Sequence, residues 1–317
     1  MMGEFEMIGR YFSRPARRAV LGVGDDCALL EPGAGMQLAV STDMLVEGRH
    51  FLSTVPPRRL GHKALAVNLS DLAACGAEPL AFTFAWSLPR ADEAFVAPLA
   101  EGLWALADAH GIELVGGDTT AGPLNLCLTA MGRVPQGQAL LRSGACPGDD
   151  LWVSGWLGDA RLALEVFRGR LALDAQAFEQ VRLRMEMPTP RVALGLALRG
   201  LASSAIDLSD GLVGDLGHIL QRSHVGARVH VDALPCSAVL AAQPPALRRL
   251  CLLAGGDDYE LLFTAPPSRR QAVEDAGRSA GVAVTRVGCI QAAGGLVCVD
   301  AQGREIQGDW HAFAHFA

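Results

Sequence analysis

Lysine is almost absent from this sequence. Lys63 is the single lysine among 27 basic residues in a chain of 317, so 27 − 1 leaves 26 arginines. It follows Gly61-His62 and precedes Ala64. That context excludes a Gly-x-x-x-x-Gly-Lys-Ser/Thr phosphate loop, and no other lysine can serve a protein-kinase-like nucleotide site. Any ATP chemistry must rest on another device. Paired cysteines are also lacking. Cys27, Cys75, Cys127, Cys146, Cys236, Cys251, Cys289 and Cys298 are scattered with no Cys-x-x-Cys, which excludes a zinc knuckle or a disulfide scaffold and reads as small buried hydrophobes. No apolar run approaches the ~18 residues of a membrane helix, and Glu4 and Glu6 stand where a signal peptide would be basic. The expectation is a soluble, cytoplasmic protein with no membrane partner. Positive charge is scarce, 27 bases against 34 acids for a net charge of −7. The sole basic cluster, Arg14, Arg17 and Arg18, reads as a solvated N-terminal face, so nucleic acid is not expected as a partner.

What the sequence does have is apolar material: 50% of residues are apolar and 19% charged. A chain of this length can bury a large core in about two domains of ~150 residues, and disorder is excluded. Runs rich in Val, Ile, Leu and Phe, ended by Gly, Pro or Asp, predict strands over 20–23, 36–41, 81–88, 112–115, 124–134, 151–154, 228–231, 259–264, 282–287 and 295–299. Helical spacing predicts helices over 58–75, 93–110, 159–168, 175–185, 190–199, 210–221 and 269–281. The class is α/β (α+β). Residues 142–150, rich in Ser, Gly, Pro and Asp, form the best linker, which divides the chain into 1–141 and 142–317. No short-period repeat is present.

The carboxylates fall in a pattern. Asp follows directly on an apolar run, usually beside glycine, in Gly24-Asp25-Asp26, Ser41-Thr42-Asp43, Gly116-Gly117-Asp118, Ile206-Asp207-Leu208-Ser209-Asp210-Gly211 and Gly255-Gly256-Asp257-Asp258-Tyr259-Glu260. Any one of these could be a helix cap or an Asx turn, with Ser209 and Asp210, for instance, opening the helix to 221. Five such places suggest carboxylates gathered at strand ends, where ligands of α/β sheets bind. Asp71 adds a sixth. Leu60, Ala64, Val67, Asp71 and Ala74 share one helical stripe that should face the core. A carboxylate there either bonds internally, to backbone, Asn68 or Ser70, or ligates a metal. Convergent carboxylates without zinc-spaced Cys or His select a hard cation, and Mg²⁺ with a polyphosphate is the natural inference. His50, by itself, reads as a surface or capping residue, and Arg142 as either a phosphate clamp or a solvated charge. His311 and His315 read as a C-terminal surface feature.

Taken in order, these motifs resemble the thiamine-monophosphate kinase family. The resemblance runs over nearly the whole chain: Gly3-Glu4-Phe5, Gly24-Asp25-Asp26-Cys27-Ala28, Ser41-Thr42-Asp43 with Gly48-Arg49-His50-Phe51, and Lys63 through Asn68-Leu69-Ser70-Asp71. It continues in Gly116-Gly117-Asp118-Thr119-Thr120, Leu141-Arg142-Ser143-Gly144, Asp207-Leu208-Ser209-Asp210-Gly211 and Gly255-Gly256-Asp257-Asp258-Tyr259-Glu260. Single motifs would point only to the wider superfamily of aminoimidazole-ribonucleotide-synthetase-like ATP enzymes. The resemblance implies that superfamily's two-domain fold: an N-terminal sheet domain forming a homodimer and holding ATP with several Mg²⁺, and a C-terminal α/β sandwich domain. By position it implies metal ligands at Asp26, Ser41, Thr42, Asp43, Asp71, Asp118, Asp207 and Asp210, with Asp43, Asp71, Asp118 and Asp210 catalytic. It implies nucleotide contacts from Gly117, Asp118, Arg142 and Ser209, and thiamine-phosphate contacts from His50, Asp257 and Phe313. Two residues depart from the family pattern, Asp257 where Glu is common and Phe313 where Tyr or Trp often stands. A selenophosphate-synthetase-like enzyme would need a reactive Cys and Lys near the N-terminus, yet no Cys precedes Cys27. A hydrogenase-maturation relative would end in a reactive Cys, whereas this sequence closes His315-Phe316-Ala317. A purine-synthesis cyclo-ligase or a calcium-binding protein remains as an alternative; the second would concentrate its ligands within about 12 residues.

Overall fold

The computed structural model describes residues 4–20, 23, 28, 30–308 and 310, the side chains of 4 and 5 excepted. The chain forms two compact units, one of Met1–Leu72 with Ala77–Gly137, the other of Ala73–Gly76 with Gln138–Ala317. Helix and strand alternate through both, giving a two-domain α/β fold.

In the first unit α1 (Glu4–Met7) runs into a short helical turn, Ile8–Phe12, and is followed by β1 (Met36–Val46), α2 (Pro57–Ala74), β2 (Glu78–Leu88), α3 (Glu93–His110), β3 (Glu113–Ala121) and β4 (Asn125–Pro135). The strands lie in the order β1-β4-β2-β3. β4 shows how a two-residue period sets the faces: Leu126, Leu128, Ala130 and Val134 are buried, while Cys127, Thr129 and Met131 are only half-buried. α3 keeps its expected limits. Asp92 caps it by accepting from the Ala94 N–H at 3.0 Å, and Gly111 closes it in the left-handed conformation. α2 and α3 touch backbone to backbone, since a Cβ on Gly102 would lie 1.8 Å from the Arg58 carbonyl oxygen. Leu60, Leu65, Leu69, Leu99 and Leu103 fill the core on either side of that crossing.

The second unit contains β5 (Asp150–Ser154), α4 (Asp159–Phe167), α5 (Ala175–Glu186), α6 (Val192–Ala197), β6 (Ser204–Asp207), α7 (Leu212–Ser223), β7 (Gly226–His230), α8 (Ala238–Ala241), α9 (Pro245–Ala254), β8 (Leu261–Ala265), α10 (Arg270–Ser279), β9 (Val284–Gln291) and β10 (Gly295–Val299). Its sheet runs β10-β7-β9-β5-β8-β6, antiparallel except for β10 and β7. The end of α2 and the turn after it, Ala73–Gly76, belong here: Cys75 O accepts from Leu140 N at 3.0 Å and Gly76 O from Arg199 Nε at 2.6 Å.

Two differences from the sequence reading bear on the site. β1 continues through Thr42-Asp43 to Val46, paired residue by residue with β4, and β3 continues through Gly116-Gly117-Asp118. Asp43 and Asp118 therefore lie within strands, not at strand ends. β6 and α9 form although neither was expected: β6 is only four residues long, and α9 opens on Pro245 at its first turn. Of the strand expected over 20–23, residues 21 and 22 lie outside the described residues. Among the described residues no helix is long and apolar enough to cross a membrane.

Candidate active site

In the first unit, the sheet register decides which carboxylates meet. Ser41, Asp43 and Leu45 alternate onto the face that packs on the helices. Asp71 reaches them from the apolar stripe of α2, and the Ser41 hydroxyl donates to Asp71 Oδ2. Asp43 and Asp71 share a hydrogen bond, and burial together with the Asp71 charge pushes the Asp43 carboxyl up to about 7. Two carboxylates that cannot both ionise comfortably, with a hydroxyl bound to one of them, are an all-oxygen donor set of the kind a hard divalent cation takes. Asn68, one of the candidate partners of Asp71, donates back to Ala64 O at 3.2 Å. Asp71 thus meets β1 through Ser41 and Asp43.

The row through Asp43 passes across Leu128 and Phe84 to Gly117. A Cβ on Gly117 would lie 1.9 Å from the Phe84 carbonyl oxygen, so only glycine fits the strand there. Thr42 and Asp118 alternate onto the opposite face. Thr42 Oγ1 lies 2.8 Å from Thr129 Oγ1, and Asp118 is exposed beside Ala85. The sheet thus separates these two side chains from the Asp43–Asp71 pair. Asp26 and Phe313 lie outside the described residues.

His50 lies in the turn after β1. Its Nδ1 accepts from Val46 N at 3.0 Å and its own N–H donates to Val46 O at 2.9 Å. An accepting Nδ1 places the ring proton on Nε2.

In the second unit, Asp207 ends β6 and is buried, and Ser209 and Asp210 follow half-buried in the turn to α7. That turn is held by Asp215, whose Oδ2 accepts from the N–H groups of Ser209, Asp210 and Gly211, each at 3.1 Å. Burial and then the nearby Asp210 charge push Asp215 up to about 7, against the pull of those three donors. The Gly255–Glu260 segment lies against the same turn: Asp257 N donates to Ser209 O at 2.9 Å and Tyr259 N to Leu208 O at 2.8 Å. Asp257 and Tyr259 have φ of 66° and 50°, left-handed values that non-glycine residues rarely hold. Arg142 is exposed, its carbonyl accepting from Ser223 Oγ at 3.2 Å.

The description "AIR synthase related protein, N-terminal domain" matches residues 24–134, and the corresponding C-terminal domain matches residues 147–301. The thiamine-monophosphate kinase of Escherichia coli K12 is 45% identical over 99% of this chain and 98% of its own length. The chain belongs to the thiamine-monophosphate kinase family. Among solved members of that family, the enzyme from Stenotrophomonas maltophilia K279a is 47% identical, superposes with a TM-score of 0.85 and shares 93% of this chain and 94% of its own. A second, described as "AaThiL complexed with AMPPCP and TMP", is 28% identical with a TM-score of 0.78 over 99% of this chain and 97% of its own.

For a thiamine-monophosphate kinase the donor set in the first unit is chemically apt, though Asp43 and Asp71 are only two ligands. Among the described residues no three His, Cys, Asp or Glu side chains stand together as a metal group. Sequence reasoning missed Asp215. Its signal is a carboxylate four residues after Gly211 in the first turn of α7, where it can reach back to the N–H groups opening that turn. Asp215→Ala is expected to cost about 1–3 kcal/mol by leaving three donors without their acceptor, and to lower activity at least tenfold through the displaced Ser209 and Asp210. Urea melts and steady-state assays on the same sample check both effects; full activity with lost stability would reduce Asp215 to a cap.

Proposed function

We propose that the chain transfers the γ-phosphoryl group of ATP to the phosphate of thiamine monophosphate, in line, giving thiamine diphosphate for the thiamine diphosphate biosynthetic route. The observation that carries this reading is the half-buried Asp43–Asp71 pair with Ser41, in a family member that has no lysine loop for phosphates. When bound, Mg²⁺ neutralises and orients the two polyanions, a device that replaces the missing lysine. The ligands proposed for several such ions are Asp26, Ser41, Thr42, Asp43, Asp71, Asp118, Asp207 and Asp210. Of these Asp26, Asp207 and Asp210 rest on the family resemblance alone, and Thr42 and Asp118 rest on it against the strand register, which turns both to the face opposite the Asp43–Asp71 pair. Gly117, Asp118, Arg142 and Ser209 are proposed to contact the nucleotide, and His50, Asp257 and Phe313 the thiamine phosphate.

The acceptor needs no general base. A phosphate monoester with a second pKa of about 6 is already mostly dianionic at pH 7, so the residues have only to position it and screen its charge. His50, with its proton on Nε2, can donate to a phosphate oxygen. Release of ADP is expected to require both thiamine monophosphate and Mg²⁺ and to stop with EDTA. Thiamine or an aminoimidazole precursor acting as acceptor in its place would overturn the substrate assignment.

We further propose that the chain is a homodimer through the open face of the first sheet. Leu38, Val40, Met44 and Val46 project from β1 to the outside, Val40 being 58% exposed, next to half-buried Cys127, Thr129 and Met131 of β4. An apolar stripe of this extent on one sheet face is what a second copy would cover. Val40→Glu is expected to convert the dimer to a monomer in light scattering; an unchanged mass would place the interface elsewhere.

A further inference from the structure

Lys63 is 2% exposed. Burying an ammonium costs several kcal/mol unless acceptors surround it, and the composition makes the residue more telling, since arginine fills every other basic position. The site therefore calls for a compact, single-point donor and not for a planar fork. Its Nζ donates to the backbone carbonyl of His50 at 3.2 Å. The turn that carries His50 is closed by Gly48 N to Phe51 O at 2.8 Å and Arg49 N to Val46 O at 3.1 Å and meets the β3–β4 connection through Glu47 N to Leu124 O at 3.4 Å, with Glu47, Gly48 and Arg49 exposed. Lys63 thus ties an exposed turn to the rigid α2. It lies on the same side of that helix as Asp71, two turns further on. The helix that carries one carboxylate of the pair also fixes the turn carrying the imidazole.

We propose that Lys63 is a positioning residue for the acceptor: by holding the His50 carbonyl it fixes the height and direction of the His50 ring relative to the Asp43–Asp71 pair, without itself touching substrate. The proposal rests on the reading of His50 as a thiamine-phosphate contact. Removing the ammonium removes the bond between the His50 carbonyl and α2 and loosens that end of the turn, while leaving the carboxylate pair in place.

The test is Lys63→Met beside Lys63→Gln and His50→Ala, each verified as folded by circular dichroism, with two readouts. In steady-state kinetics Lys63→Met and Lys63→Gln are expected to raise KM for thiamine monophosphate about tenfold or more, while KM for ATP and kcat change less than about threefold. In ¹⁵N-edited spectra of the metal-free protein the His50 ring is expected to lose its fixed Nε2–H tautomer in both lysine variants. Unchanged KM for thiamine monophosphate in folded Lys63→Gln overturns the proposal. If His50→Ala also leaves that KM unchanged, it is the assignment of His50 that has failed. The ring spectrum then decides for Lys63: a His50 tautomer unmoved in Lys63→Met and Lys63→Gln overturns the positioning role independently.

Discussion

Asp43→Asn and Asp71→Asn are each expected to lower kcat/KM by about 10³-fold or more while raising the stability of the metal-free protein at pH 8. Both effects have one origin. With no cation between them, Asp43 and Asp71 compete for one proton, and burial together with the Asp71 charge holds Asp43 at about 7. A carboxyl whose folded pKa lies above its unfolded value binds more protons in the folded chain across the interval between them. Its stabilisation is therefore complete below the ordinary carboxylate range and is lost as the pH rises towards 7. Above pH 7 the folded chain carries two like charges side by side that the unfolded chain keeps apart. An asparagine at either position removes that repulsion, a gain of about 1–3 kcal/mol after allowance for solvent near the pair, or several degrees in melting temperature for a chain this size. At pH 5 the gain should largely disappear. Mg²⁺ should raise the melting temperature of the wild type at pH 8 and do little for either variant. The same linkage makes Mg²⁺ affinity fall by up to about tenfold per pH unit below 7, because the ion must displace the shared proton. Melting curves at pH 5 and pH 8, with Mg²⁺ or EDTA, check the stability arm. Near-normal turnover in either variant would remove the pair from the metal assignment.

How far the sequence carries towards this pair follows from particular residues. Asp71 is legible because it interrupts the stripe of Leu60, Ala64 and Val67, and the structure places it against a strand. The place of Asp43 is legible only in part. Its approach to Asp71 depends on β1 running on past Ser41, and that extension is imposed by eleven consecutive pairings with β4, from Met36–Pro135 to Val46–Asn125, far apart in the sequence. Gly116-Gly117 reads as a break, since glycine usually punctuates, yet it lies within β3 because the Phe84 carbonyl needs the space a side chain would fill. The strand period then puts Asp118 on the face away from Asp43, which no local pattern reveals while the strand's extent is unknown. Asp215 shows in the sequence only as a carboxylate four residues after Gly211, and the acceptor role of His50 Nδ1 does not show at all, for a similar reason: each is defined by backbone N–H groups, and every residue but proline supplies one.

Glu260 concentrates the largest expected loss of stability. It is completely buried and binds Arg191 through Nε at 2.6 Å and Nη2 at 2.5 Å, Arg184 through Nη2 at 2.6 Å, and Ser154 through its hydroxyl at 2.6 Å. One carboxylate thus joins the end of α5, the start of α6, the end of β5 and the segment leading into β8. Glu260→Gln keeps the shape but leaves two guanidinium groups facing a neutral amide, and the expected cost is about 3–5 kcal/mol, that of breaking a buried charge pair from one side. The consequence should extend to function. The Glu260 carbonyl accepts from Leu208 N at 2.8 Å, so this residue anchors the strand that keeps Asp257 and Tyr259 in left-handed backbone against the Ser209–Gly211 turn. Such conformations cost of order 1–3 kcal/mol each and persist only where the surroundings enforce them. Without Glu260 the expected response is relaxation of Asp257, read as a rise in KM for thiamine monophosphate that exceeds any change in the Mg²⁺ requirement. Guanidinium unfolding of Glu260→Gln, Arg191→Met and the double variant separates the network from its parts. The double variant should lose less than the sum of the two single losses, because removing the second partner abolishes an uncompensated charge the first substitution created. Strict additivity, or a loss below about 1 kcal/mol for Glu260→Gln, would mean that solvent reaches the network and that the strained segment is held by other contacts.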